Sequence, residues 1–121
     1  MLTRQLLRLL AAVWIVGLLA VSLQPWRPPG ESQSIVHQVW HVVSFGAASL
    51  MLFALSRNAK QASTAALGIL CLAVAIETSQ HLLYKNPFEW WDVRDDTIGI
   101  AFAWMLIRWT GVKSLLLNAD G

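Results

Sequence analysis

The chain has 121 residues, of which 56% are apolar and only 13% are charged. Soluble domains carry about 25% charged residues, and a soluble core of this size could not bury so much apolar surface, so a bilayer is the expected solvent. The net charge of +2, with no basic cluster interleaved with aromatic residues, excludes nucleic acid as an expected partner. The single Cys71 excludes an internal disulfide.

The first apolar run predicts a membrane helix over about residues 6–23, preceded by Arg4 and Arg8. Its length is close to the roughly 20 residues that span a bilayer. A signal peptide has the same order of basic and apolar residues, and residues 20–22 form an acceptable cleavage site. Because further apolar runs follow, an uncleaved first helix is the simpler interpretation.

Three more apolar runs predict helices over about residues 35–55, 63–83 and 95–110. Prolines between residues 25 and 29 interrupt the chain before the second run, and an Asn-Pro pair ends the third. The short polar turn between the second and third runs predicts that they are antiparallel neighbours. We therefore predict one all-α domain over residues 1–121, an integral membrane bundle of four transmembrane helices.

The distribution of basic residues predicts the orientation of this bundle. Four helices with short loops place both termini on one side. That side would carry Arg4, Arg8, Arg57, Lys60, Arg108 and Lys113, whereas the other side would carry only Arg27, Lys85 and Arg94. Because cytoplasmic loops are enriched in Lys and Arg, both termini are predicted to be cytoplasmic.

Polar residues from three predicted helices converge on one layer in the outer leaflet. They are His37 and His41 in the second helix, Glu77, Gln80 and His81 in the third, and Asp92, Asp95 and Asp96 at or just before the start of the fourth. A charge at the bilayer centre costs roughly 2.5–3.5 kcal/mol, so ionisable residues at membrane depth are functional-site hypotheses by default. Glu77 is expected to face the bundle interior and to have a partner there.

Small residues at helical spacing predict close contact between helices. Ser44 with Ala48, and Gly99 with Ala103, each form a small-xxx-small pair. Such pairs let membrane helices approach at backbone distance.

The order of these polar residues resembles the VanZ-like family of small bacterial integral membrane proteins over roughly residues 37–108. The family pattern is Glu-x-x-Gln, then Asp-x-x-x-Asn-x-x-Gly after a short loop. Here residues 77–80 match its first part and residues 92–99 match its second, with His41 opening the second span. Asp96 stands where the family usually has Asn.

The resemblance implies a multi-pass helical protein of the bacterial cytoplasmic membrane. The role associated with the founding member of the family is low-level resistance to the glycopeptide teicoplanin. Many members carry an Arg in the loop before the first Asp, whereas this chain has Lys85 and Asn86 there and places Arg94 after Asp92. From the family resemblance as a whole, we expect a link to the cell wall or to a glycopeptide response.

The leading hypothesis is a site for a polar or phosphorylated headgroup of a membrane lipid or a lipid-linked envelope intermediate. The binding residues would be Glu77, Gln80 and Asp92, supported by His41 and Asp96. A polar network that only ties helices together is the structural alternative, since interhelical hydrogen bonds hold membrane bundles. The chain would then be a structural partner in a membrane complex.

A membrane hydrolase or transferase that uses Glu77 or Asp92 as its base is a third hypothesis, because close carboxylates can serve as acid and base. Ser44 and Ser79 are candidate nucleophiles, but the sequence contains no complete catalytic constellation. A catalytic role is therefore not the leading prediction.

The histidines raise the question of a metal site. Helical spacing would permit His41, Glu77 and His81 to hold an ion. Because no standard zinc motif is present, we assign no metal ligand and no cofactor from the sequence.

Overall fold

A computed structural model describes residues 3–25 and 34–116 of the chain. The described residues form five α-helices and no strand. The helices are α1 (Arg4–Ser22), α2 (Ile35–Leu55), α3 (Ala59–Tyr84), α4 (Trp90–Trp109) and the short α5 (Val112–Leu116). The all-α prediction is confirmed for this part of the chain, whereas Arg27 and two of the loop prolines, Pro28 and Pro29, lie outside the described residues.

Side-chain caps decide where the first three helices begin. The side-chain oxygens of Thr3, Ser34 and Asn58 each accept a hydrogen bond from a backbone N–H in the first turn of α1, α2 and α3. Such caps satisfy donors that have no partner within the helix. In α3 the Gln61 side chain also accepts from the N–H of Arg57 at 2.8 Å, so this helix begins at Ala59 and not near residue 63.

The fourth helix begins earlier than predicted, at Trp90 and not at Asp95. Lys85 ends α3 in the left-handed conformation, with φ 59°, and Pro87 cannot continue a helix. The loop is consequently short, and Asp92 falls inside the first turn of α4. Asp92 was predicted to lie at or just before the start of this helix; in the structure it is inside the helix and buried.

Contacts between helix ends show that the long helices run in alternating directions. The Arg4 side chain at the start of α1 donates to the carbonyl oxygen of Leu55 at the end of α2, at 3.1 Å. At the opposite end, the Tyr84 hydroxyl at the end of α3 donates to the carbonyl oxygen of Leu23 just after α1, at 2.8 Å. We call these the Arg4 end and the Tyr84 end of the bundle. Since α2 and α4 both run from the Tyr84 end to the Arg4 end, they are parallel.

The most extensive helix–helix contact joins α2 to α4. A Cβ atom on Gly99 would lie 2.9 Å from the backbone nitrogen of Gly46 and would also collide with the carbonyl oxygen of Val42. Only glycine at position 99 therefore allows these backbones to approach as they do. The predicted small residues Ala48 and Ala103 are both buried in the hydrophobic core.

The surface of the bundle is apolar and its interior is rich in small and polar residues. Val13 is 70% exposed and Val36 is 75% exposed, whereas Ser49 and Ala54 are fully buried. Three helices, α1, α2 and α3, are long and apolar enough to cross a membrane. An apolar exterior on helices of this length is typical of a protein whose solvent is lipid.

Candidate functional site

Two histidines of α2 face two aspartates of α4 at the Tyr84 end. His37 Nε2 lies 3.1 Å from Asp92 Oδ2 and 3.2 Å from Asp92 Oδ1. His41 Nε2 lies 3.4 Å from Asp92 Oδ2, and His41 Nδ1 lies 2.7 Å from Asp96 Oδ1. We call His37, His41, Asp92 and Asp96 the His–Asp cluster. Asp92 contacts both rings and thereby joins the four side chains into one network.

The register of the two parallel helices builds this cluster. On each helix the two polar residues are one turn apart, so they project from the same face. His37 meets Asp92 and His41 meets Asp96 with the same separation along the chain, as parallel helices in contact require. The close approach at Gly46 and Gly99 lies farther along the same interface and holds the two faces together.

The cluster is almost entirely withdrawn from the surface. Asp92 and Asp96 are each 1% exposed, and His41 is 8% exposed. The His37 side chain is 14% exposed, so it borders the opening of the cluster at the Tyr84 end. Buried charges are strongly disfavoured unless they are paired, which these carboxylates are through the two imidazole rings.

Glu77 of α3 lies beside the cluster and is 2% exposed. Its Oε2 atom accepts a hydrogen bond from the backbone N–H of Glu89, just before α4, at 3.3 Å. Glu77, Asp92 and Asp96 all lie within electrostatic range of His41. As the sequence predicted, Glu77 faces the bundle interior and has a partner there.

Gln80 is buried one turn beyond Glu77 but faces α1. Its Nε2 atom donates to the backbone carbonyl oxygen of Ser22 at the end of α1. All five predicted binding residues are therefore buried at the Tyr84 end. The structure links three of them directly, namely His41, Asp92 and Asp96, while Gln80 ties α3 to α1.

Arg94 and Asp95 form a separate pair at the edge of α4. The Arg94 guanidinium donates twice to Asp95 Oδ1, at 2.8 and 2.6 Å, and lies 4.7 Å from the centre of the Trp91 ring. The Arg94 side chain is 47% exposed, whereas Asp95 is buried. Arg94 is consequently the nearest solvent-facing cation on α4 to the His–Asp cluster.

His37 is the site residue that the sequence analysis left out of the binding set. Its spacing of four residues from His41 was the available signal, but only the register of α2 on α4 shows that both rings meet Asp92. His81 behaves differently, since its side chain is exposed and its Nδ1 atom lies 2.7 Å from the carbonyl oxygen of Asn86. The grouping of His41, Glu77 and His81 is therefore wrong as a metal set.

The two candidate nucleophiles lack a neighbouring base. Ser44 Oγ is buried without a hydrogen-bond partner among the described residues. Ser79 Oγ donates to the backbone carbonyl oxygen of Ala75 in its own helix, at 2.7 Å. A nucleophilic serine needs a base within hydrogen-bond reach, and neither residue has one in the described part of the chain.

Comparison of the chain with protein-family models, with curated proteins and with solved structures finds no match. The resemblance to the VanZ-like family therefore rests on the residue pattern between Glu77 and Gly99.

Proposed function

We propose that the chain is a four-span protein of the bacterial cytoplasmic membrane, VanZ-like in its residue pattern, that binds a polar lipid headgroup at the outer leaflet. The ligand class is a membrane lipid or a lipid-linked envelope intermediate. The observation that carries the proposal is the buried network of His37, His41, Asp92 and Asp96 at one end of an apolar bundle. Ionisable groups at such depth are costly, and they usually serve a pathway or a ligand.

The fourth span is supported by the geometry of α4. This helix has 20 residues, close to the 19 of α1, and it runs parallel to α2 along most of that helix. Its aspartates are buried, Asp92 and Asp96 against α2, while Phe102 and Trp109 are exposed. The acidic residues that lower the apolar character of α4 are thus hidden from lipid.

The orientation is supported by the distribution of basic residues between the two ends. The Arg4 end carries Arg4, Arg8, Arg57, Lys60, Arg108 and Lys113, and of these Lys113 donates to the carbonyl oxygen of Ser56. Lys and Arg accumulate on the cytoplasmic side of membrane proteins. The Tyr84 end, with the His–Asp cluster, then faces the outer leaflet.

The chemistry of the cluster suits a headgroup that donates hydrogen bonds, because carboxylates accept and do not donate when ionised. A phosphate would be repelled by Asp92 and Glu77 unless a cation intervened, and Arg94 can supply one at the rim. An apolar groove of about 250 Å³ lies between α1 and α2 in the same half of the bundle, bordered by Trp14 and Trp40. This groove gives an acyl or isoprenoid chain a place beside the headgroup.

A structural role is the second candidate, and the position of the cluster between α2 and α4 favours it. Interhelical polar contacts stabilise membrane bundles by about 0.6 kcal/mol each on average. In this role the chain would be a scaffold within a larger membrane complex and would bind no headgroup.

The test is lipid capture by purified full-length protein in nanodiscs of neutral lipid, with phosphatidylglycerol added and bound lipid measured by native mass spectrometry. We expect Glu77→Gln to lower the bound phosphatidylglycerol at least tenfold, because the glycerol hydroxyls lose a buried carboxylate acceptor while the side-chain volume is kept. Thr78→Val is the matched control, since Thr78 is exposed and bonds only within its own helix.

Three outcomes separate the candidates. Loss of lipid in a folded Glu77→Gln protein supports headgroup binding. Equal lipid binding by Glu77→Gln, Thr78→Val and the natural chain rejects it. Failure of Glu77→Gln to fold, with Thr78→Val intact, assigns the polar residues to the structural role.

A further inference from the structure

We propose that His37, His41 and Asp92 form a binding site for one divalent transition-metal ion, with zinc as the expected occupant. One donor atom from each residue lies within 4.8 Å of the other two. Two imidazoles one turn apart on a helix and a carboxylate from a neighbouring helix form a donor set that zinc accepts. This site does not depend on headgroup binding.

His41 presents its two ring nitrogens to two different carboxylates. His41 Nδ1 lies 2.7 Å from Asp96 Oδ1, and His41 Nε2 lies 3.4 Å from Asp92 Oδ2. When Nδ1 carries the ring proton and donates it to Asp96, Nε2 keeps a lone pair that can bind a metal ion. The Asp92 carboxylate is then placed to bind the same ion.

The distances between the donor atoms fit a metal. Ligands at about 2.1 Å from a tetrahedral ion lie about 3.4 Å from one another. Asp92 Oδ2 lies 3.1 Å from His37 Nε2 and 3.4 Å from His41 Nε2. The two distances that involve Asp92 therefore match those between the ligands of one ion, and the two histidine donors lie within 4.8 Å of each other.

Asp96 supplies the outer support that metal-bound histidines usually have. A histidine that binds a metal commonly donates its other ring N–H to a carboxylate, which fixes the tautomer and the ring orientation. Asp96 Oδ1 lies 2.7 Å from His41 Nδ1, where it can accept that hydrogen bond, and Asp96 is 1% exposed. Asp96 is thus a positioning residue for the site and not a ligand.

The charge of the surroundings also favours a divalent ion. Glu77 and Asp96 lie within electrostatic range of His41 in addition to Asp92. An ion with two positive charges would compensate these buried carboxylates, which are expensive without such compensation. Three protein ligands leave one coordination position of a tetrahedral zinc for a water molecule or for an oxygen of another ligand.

Access to the site is through His37, whose side chain is partly exposed at the Tyr84 end. His41 and Asp92 lie behind it and are buried. An ion that enters from the aqueous side would therefore meet His37 first.

The experiment measures zinc and cobalt binding by the full-length protein in detergent, purified with a tag that contains no histidine and freed of metal with a chelator. We expect one zinc per chain with a dissociation constant at or below micromolar. Cobalt should give the intense visible absorption of a tetrahedral ion. His37→Gln should weaken zinc binding at least 100-fold, and Asp96→Asn should weaken it about 10- to 100-fold while keeping one ion per chain.

His81→Gln is the matched control, because His81 is an exposed histidine at the same end of the bundle that contacts Asn86 and not the cluster. It should bind zinc as tightly as the natural chain. If His37→Gln does not fold, the zinc affinity and the cobalt spectrum of Asp96→Asn test the proposal instead. Absence of stoichiometric zinc, or equal loss in His81→Gln and His37→Gln, overturns the proposal and leaves protons alone to hold the His–Asp contacts.

The metal and headgroup proposals fail separately. Zinc binding is measured without added lipid and is removed by His37→Gln. Lipid capture is measured with a chelator present and is removed by Glu77→Gln. A chain that binds zinc but no lipid retains the metal site and loses the proposed headgroup function.

Discussion

Gly46 and Gly99 lie against each other where α2 and α4 come closest. A Cβ atom on Gly46 would lie 3.3 Å from the carbonyl oxygen of Gly99, and one on Gly99 would lie 2.9 Å from the nitrogen of Gly46. The His–Asp cluster lies in the same interface, nearer the Tyr84 end. The separation of the two helices at the glycines therefore determines whether His41 can reach Asp96.

Gly99→Ala should destabilise the protein by about 1–3 kcal/mol, because the added methyl group collides with the backbone of α2 and forces the helices apart. Gly46→Ala should cost less, since its nearest contact is longer. Reversible unfolding in mixed micelles titrated with sodium dodecyl sulfate measures the free energy of unfolding.

Gly68→Ala is the control for this series. A Cβ atom there would meet nothing within 4 Å, and alanine favours a helix over glycine by up to about 1 kcal/mol. The variant should be neutral or slightly more stable. Equal stability of Gly68→Ala and Gly99→Ala would show that α2 and α4 are not in backbone contact.

His41 and Asp96 should be coupled in stability. Each single change to alanine removes the same interhelical contact. The free energy of unfolding of the double variant should therefore fall by about 1–2 kcal/mol less than the sum of the decreases in the two single variants. The double-mutant cycle is measured by the same unfolding titration, with a chelator present to exclude metal.

The control cycle for this pair uses Ser49→Ala on α2 and Thr97→Val on α4. Ser49 Oγ has no hydrogen-bond partner among the described residues, and Thr97 bonds to Val93 in its own helix. The changes in the free energy of unfolding caused by these two substitutions should be additive within about 0.5 kcal/mol. Additive losses in the His41 and Asp96 cycle as well would contradict the direct contact.

Tyr84→Phe should lower the free energy of unfolding by about 0.5–1.5 kcal/mol, because it deletes the hydrogen bond to the Leu23 carbonyl oxygen and keeps the ring. Thr78→Val removes a hydroxyl that bonds only to Val74 in its own helix, so it should change stability less. A Tyr84→Phe protein as stable as the natural chain would mean that this contact does not hold α3 to α1.

Cysteine labelling tests the orientation and the fourth span together. Cys71 is exposed and would react with the label, so each single-cysteine variant is made in a chain that carries Cys71→Ser. A membrane-impermeant maleimide applied to intact cells should label Trp90→Cys, whereas Lys60→Cys and Ser114→Cys should react only after the membrane is opened. These three positions are exposed in the structure.

Two other labelling patterns have different meanings. Reaction of Lys60→Cys and Ser114→Cys, but not of Trp90→Cys, would invert the orientation. Reaction of Trp90→Cys and Ser114→Cys together would mean that α4 does not cross the membrane.

Local sequence signals were sufficient to predict the helices themselves. The run over 35–55 appears as α2 with the same bounds, because it is mostly apolar, contains no proline and is capped at its start by Ser34. The start of α4 could not be predicted in the same way, since Asp92 resembles a loop residue until its burial is known. A charged residue in a membrane helix is acceptable only when another helix covers it, and that information is not local.

In the candidate site, too, some features followed from the sequence and others depended on tertiary contacts. Composition and spacing alone determined an all-helical apolar chain, a small-residue face that includes Gly99, and a polar layer that includes His41, Glu77 and Asp92. Only the tertiary structure decided that His37 joins the cluster, that His81 does not, and that Gln80 faces α1. The physical reason is that a helix fixes which of its own residues share a face, while the register and close approach of α2 and α4 decide which faces meet.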